Sequence, residues 1–150
     1  MRSIQQLTEE LWSKSAVAGC GAMKELLAYS EESACVYPYI EQFLEITYSG
    51  NSYFRTRGLL LICANAKWDK AGKIEENIAN ILKHVTDPKP ITTRQFVAML
   101  PQLAADKPAL REDILAALRN ADTSRYPLSM RGLVDADICS ARLMIEKRGI

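Results

Sequence analysis

The sequence predicts an all-α chain: an α–α superhelix, built as a short solenoid of four helix pairs with about eight helices. Three observations predict it. Apolar residues recur in columns at a step of 37 residues along nearly the whole chain. Within each step they fall at the spacing of one face of a helix. No apolar–polar alternation of useful strand length appears.

The columns are explicit. Leu7, Leu44, Ile81 and Leu118 form one, and Val17, Phe54, Ile91 and Leu128 a second. Ala22, Leu59, Phe96 and Leu133 form a third, and Met23, Leu60, Val97 and Val134 a fourth. A small residue recurs at Gly21, Gly58 and Gly132, with Gln95 in the remaining row. A fixed period of this size is the mark of stacked helix pairs, each too small to bury its apolar sides alone.

The first pair spans 4–31. Ile4, Leu7 and Leu11 make a one-sided stripe, and Ser15 fits the N-cap of the second helix. The second pair spans 36–68. Ile40, Phe43 and Leu44 carry its first helix, and Ser52, aligned with Ser15, is the matching cap. Its second helix is apolar nearly all round through Leu59–Ala64, so it is expected to be packed on several sides, with Gly58 marking a close approach. The third pair spans 73–105. Ile74, Ile78, Ile81, Leu82 and Val85 predict one helix, and Pro90 fits the first position of the next. Pro101 is expected to kink that second helix. The fourth pair spans 108–147, with Leu110, Ile114, Ala117 and Leu118 on its first helix and Pro127, aligned with Pro90, at the start of its second. Turn residues separate the helices at Ser49-Gly50-Asn51, Thr86-Asp87-Pro88-Lys89 and Asp122-Thr123-Ser124. No linker divides residues 1–150, which read as a single repeat domain.

Composition narrows the function classes. Nineteen basic and 18 acidic residues leave a net charge of +1, which argues against a strong nucleic-acid field over the whole surface. Cys20, Cys35, Cys63 and Cys139 have no metal-ligand spacing and read as reduced core thiols, so neither metal nor cofactor is expected. The first ten residues hold no apolar export-signal core, and the longest apolar run is far short of a membrane span. The expectation is a cytoplasmic protein with no membrane association.

Phe54-Arg55-Thr56-Arg57-Gly58, following Gly50-Asn51-Ser52, resembles the second-helix signature of HEAT repeats: an apolar residue, then Arg, then a small residue three further on. Thr86-Asp87-Pro88 resembles the Asp-Pro turn of such repeats. The resemblance covers almost the whole chain and implies a HEAT-like α-solenoid. The signature arginine is present only at Arg55; Ala18, Thr92 and Ser129 stand in the other rows. The chain is also similar to small bacterial HEAT-like proteins of unknown role that sometimes carry the label SufBD-like. DNA-alkylation-repeat glycosylases share the solenoid architecture, with a basic concave surface.

The candidate binding residues begin with the column Arg57, Arg94 and Arg131. Planar guanidiniums in a row suit phosphates or carboxylates. Arg55, Lys67 and Arg142 would widen the strip, and Trp68 would supply an apolar anchor. The competing reading pairs each arginine with nearby acids, such as Asp135 one turn after Arg131. Aromatics gather early, from Tyr29 through Phe54, where exposed tyrosines would make a peptide-binding patch. No catalytic residues stand out. His84 is the only histidine and has no nucleophile or acid at a telling spacing, and the Glu pairs are adjacent and so diverge on a helix. The expectation is a non-enzymatic scaffold or adaptor that binds another macromolecule, protein above all, along the second-helix surface. The alternative is a nucleic-acid-binding or DNA-repair module resembling the alkylation-repeat glycosylases. Oligomeric state is left open.

Overall fold

A computed structural model describes residues 2–148. They are all-helical, with no strand among them. The chain divides into two compact units, Met1–Glu76 and Asn77–Ile150.

In the first unit, α1 (Ile4–Glu10) opens on a capping box. The Ser3 hydroxyl accepts from Gln6 N at 3.1 Å, and the Gln6 side chain accepts from Ser3 N at 2.8 Å. Helix α2 (Ala16–Glu32) starts at the expected cap, with Ser15 Oγ accepting from Ala18 N at 3.2 Å. A 3-10 turn, Tyr37–Tyr39, leads into α3 (Ile40–Ile46). Helix α4 (Ser52–Ala64) is capped one residue earlier than the alignment with Ser15 predicted. Asn51 Oδ1 accepts from Tyr53 N at 2.9 Å and Phe54 N at 3.4 Å, so the longer amide side chain takes the capping role and Ser52 is the first helical residue.

The first helix of the third pair is not continuous. Instead of one helix there are α5 (Lys73–Glu76), α6 (Ile78–Leu82) and a 3-10 turn, Lys83–Thr86. The backbone of Asn77, at φ −111° and ψ 9°, leaves the helical region between them. An apolar stripe reports one face but not an unbroken backbone, and the boundary between the units falls at this break.

In the second unit, α7 (Pro90–Asp106) begins at Pro90 as predicted and runs on through Pro101. A 3-10 turn, Pro108–Leu110, precedes α8 (Arg111–Arg119). The last helix, α9 (Leu128–Arg148), starts one residue beyond Pro127, whose carbonyl accepts from Arg131 N at 2.9 Å.

Each unit packs a pair of hairpins through its longer second helices. In the first, α2 and α4 run parallel: Gly19 faces Arg57, and Ser30 faces Asn65 and Trp68. In the second, α7 and α9 run parallel, with Arg94 beside Asp137 and Ala104 near Ile145. The partners lie 35 to 43 residues apart, close to the repeat step, as expected when equivalent helices of successive pairs lie side by side.

The core follows two of the sequence columns throughout. Leu7, Leu44, Ile81 and Leu118 are all buried, as are Met23, Leu60, Val97 and Val134. The run Leu59–Ala64 is buried entirely, as its lack of a polar face predicted. Gly58 is the close approach expected of it. A Cβ there would overlap Ile46 Cγ2 and stand 2.8 Å from the backbone oxygen of Phe43. The aligned Gly21 and Gly132 have no such neighbour within 4 Å, so only one of the three small residues is explained by packing.

The cysteines do not all enter the core. Cys63 is buried and Cys20 half-buried, but Cys35 and Cys139 are exposed. Cys35 lies in a turn, not a helix. Cys139 follows buried Ile138, and successive residues on a helix point about 100° apart. Among the described residues no helix is long and apolar enough to cross a membrane.

Candidate functional site

The proposed arginine strip dissolves into three separate structural roles. Arg57, near the start of α4, is only 4% exposed. Its Nη1 donates to Leu11 O at 2.7 Å and Ser13 O at 2.9 Å, in the loop between α1 and α2. The guanidinium occupies the space that a side chain at Gly19 would take, and its carbon lies 5.3 Å from the Phe54 ring centre. Among the described residues no carboxylate pairs with it, and burial pushes its pKa down. Arg57 therefore ties the second hairpin to the loop of the first.

Arg94 and Arg131 act within the second unit. Arg94 Nε meets Asp137 Oδ2 at 2.6 Å, and that hydrogen bond raises the arginine pKa. Arg131 Nη2 donates to Ser124 O at 2.9 Å and Tyr126 O at 3.2 Å. The expected pairing of Arg131 with Asp135 does not form, because Asp135 accepts from the Thr123 hydroxyl at 2.6 Å.

The flanking candidates are distributed the same way. Arg55 is buried and donates to Ser49 O at 3.1 Å. Lys67 reaches Glu31 at 3.3 Å, and Arg142 lies 3.3 Å from Glu146. Trp68 is half-buried and donates to Ser30 O at 2.7 Å, which clasps the ends of α2 and α4 together. Below it Asn65 donates to Ser30 Oγ at 3.1 Å and Leu61 O at 2.9 Å.

His84 has a partner that sequence spacing did not single out. Its Nδ1 lies 2.7 Å from Oδ1 of buried Asp87. The Thr93 hydroxyl accepts from Asp87 N at 2.9 Å and touches the Tyr126 hydroxyl at 2.9 Å, and Tyr126 donates to Asp87 O at 2.7 Å. Thr93 meets the backbone carbonyl of His84 and not its ring, so the group clasps buried loops together. In the first unit Asp69 has a similar role. Its carboxylate accepts from Lys73 N and Ile74 N at 3.0 and 2.9 Å and from the Tyr37 hydroxyl. Burial, then that hydrogen bond, pushes the Tyr37 pKa up to about 12.

Several of the exposed large apolar residues lie in the first turns of the second helices. The column Val17, Phe54, Ile91, Leu128 reads in sequence like core. Yet Val17 is 86% exposed and Leu128 81%, while Ile91 is 62% exposed. Phe54 is half-buried, edge-on to exposed Trp12 with ring centres 5.8 Å apart, and its neighbour Tyr53 is 66% exposed. The early aromatics do not form one patch: Phe43 is core, Tyr29, Tyr37 and Tyr39 are half-buried, and Tyr48 and Tyr53 are exposed. The signal for this surface was present in the sequence, since the column is apolar. Its direction was not, because a column at a fixed period is equally regular facing in or out.

No protein-family model, curated protein or solved structure matches this chain.

Proposed function

We propose that this protein is a non-enzymatic scaffold of HEAT-like solenoid type, acting in the cytoplasm, that binds another protein along its second-helix surface. One observation carries the reading. The same register position in each second helix is apolar, and three of its four members, Val17, Ile91 and Leu128, are strongly exposed. Isolated exposed apolar residues need no explanation, but one that recurs at the start of three of the four second helices does. Trp12 and Tyr53 enlarge the apolar surface of the first unit, and such side chains are favoured at interfaces. The parallel side-by-side packing within each unit supports the repeat assignment. A nucleic-acid backbone is the less favoured partner, since Arg57 faces inward and Arg94 is offset by Asp137.

The test places a photo-crosslinking residue at Tyr53 or Leu128, with exposed Glu45 on α3 as the control position. Crosslinking in the native cell to one protein from Tyr53 or Leu128, and not from Glu45, is the expected result. Equal labelling from all three positions, or crosslinks to nucleic acid alone, would defeat the proposal.

A further inference from the structure

The second unit holds a groove that the first-turn surface does not include. Between α7 and α9 lie two clefts of about 310 and 190 Å³ that share Pro101. Short side chains explain why the space is unfilled. Ala98, Ala104 and Ala105 face it from α7, and Ser140 and Ala141 from α9. Pro101, Ala104, Ala141 and Ile145 are buried at its base, while Ala98, Ala105 and Met144 are exposed along its sides. From Asp137 to Arg148 the groove follows about 16 Å of α9, some three helical turns.

Its charge is one-sided. At the end nearer the helix starts, Asp137 is already offset by Arg94. At the other end stand Arg111 and Arg148. Arg148 makes no ion pair among the described residues. Among the described residues Arg111 reaches its exposed neighbour Glu112, through Nη1 at 2.6 Å, and its buried Nε has no hydrogen-bond partner there. The floor offers few polar groups. An extended peptide would leave its backbone unpaired there, whereas a helix satisfies its own backbone.

We infer that the α7–α9 groove docks an amphipathic helix of a protein partner, with apolar residues at i, i+4 and i+7 in the clefts and an acidic residue at the end that meets Arg111 and Arg148. The inference rests on the protein-binding reading and names the partner's chemistry. The combined clefts suit two or three aliphatic side chains, consistent with the few anchors that dominate most interfaces.

A display library of helical peptides, with a randomised apolar face and either an acidic or a basic end, is selected against the full chain. Acidic-ended peptides are expected to be enriched. Binding of the best one should weaken about tenfold or more, a change of at least ~1.4 kcal/mol, for Arg148→Glu and for Ala105→Trp, which fills the cleft. It should be unchanged for Val17→Asp. Should Ala105→Trp misfold, the charge reversal at exposed Arg148 still decides. Enrichment of basic-ended peptides, no enrichment at all, or binding insensitive to both groove variants overturns the inference. If that happens while crosslinks from Tyr53 or Leu128 persist, the groove fails and the scaffold reading stands; if the crosslinks vanish too, both fail.

Discussion

Three glycines aligned by the repeat are predicted to respond in opposite directions to the same substitution. Gly21, Gly58 and Gly132 all lie inside helices, where Gly→Ala gains about 1 kcal/mol of helix propensity. At Gly21 and Gly132 a methyl group meets nothing within 4 Å, so the gain is realised. At Gly58 the methyl group overlaps Ile46 and stands 2.8 Å from the Phe43 carbonyl oxygen, with Thr47 Cγ2 at 3.2 Å. A side chain can rotate away, but the Phe43 oxygen belongs to the backbone of α3, so the α3–α4 hairpin must open. Overpacking of this kind costs about 1–3 kcal/mol, which cancels or exceeds the propensity gain and leaves a net loss of up to ~2 kcal/mol. For a chain of this length each kcal/mol moves Tm by roughly 2–4 °C. Thermal and urea unfolding followed by circular dichroism should show Gly21→Ala and Gly132→Ala melting a few degrees above the parent and Gly58→Ala a few degrees below, with Gly58→Leu far worse. A Gly58→Ala protein as stable as Gly21→Ala would refute the close-approach argument.

Other consequences can be measured in the same way. Arg57→Ala removes the donor from two loop carbonyls and leaves a cavity against Gly19, at an expected cost of ~2–4 kcal/mol in urea unfolding. Gly19→Ala should destabilise the parent by dislodging the same guanidinium yet be harmless in the Arg57→Ala background, a coupling that a double-mutant cycle detects. Tyr37 is held protonated in the fold, with its pKa raised from near 10 to about 12. Its contribution is therefore complete below pH 10 and is lost as pH climbs toward 12. Tyr37→Phe should lower stability by about 1 kcal/mol at neutral pH and flatten the alkaline limb of the stability profile. Thr93→Val removes the hydroxyl that accepts from Asp87 N and meets the Tyr126 hydroxyl in a buried site and should cost ~1–3 kcal/mol, whereas Val17→Asp and Leu128→Asp, on exposed positions, should stay within about 0.5 kcal/mol of the parent.

Much of the architecture was legible because it depends on local chemistry. A hydroxyl before an apolar stripe caps a helix wherever it occurs, and Ser15 does so. A proline at the first helical position costs nothing, and Pro90 stands there. Leu7, Leu44, Ile81 and Leu118 are buried because an amphipathic helix has one face to bury. The site was less legible. Arg57 looked like a member of a solvent-facing ladder, but its guanidinium turns inward because Gly19 leaves room for it and two loop carbonyls lie within reach. Asp135 stood one turn from Arg131 in sequence, yet Thr123 took it from a loop. Such choices depend on which acceptors the folded loops present, and spacing along one helix does not contain that information.

The sequence by itself determined that the chain is all-helical, where most helices begin and that apolar columns recur along it, since these follow from hydrogen bonding and periodicity. Tertiary structure alone decided the rest. It turned the Val17 column to solvent, drew Arg55 and Arg57 inside, and broke the third pair's first helix at Asn77. It also made Gly58 a packing requirement while leaving Gly21 and Gly132 in open space. The physical reason is that a repeat makes positions equivalent in the sequence, whereas burial depends on what packs against each of them.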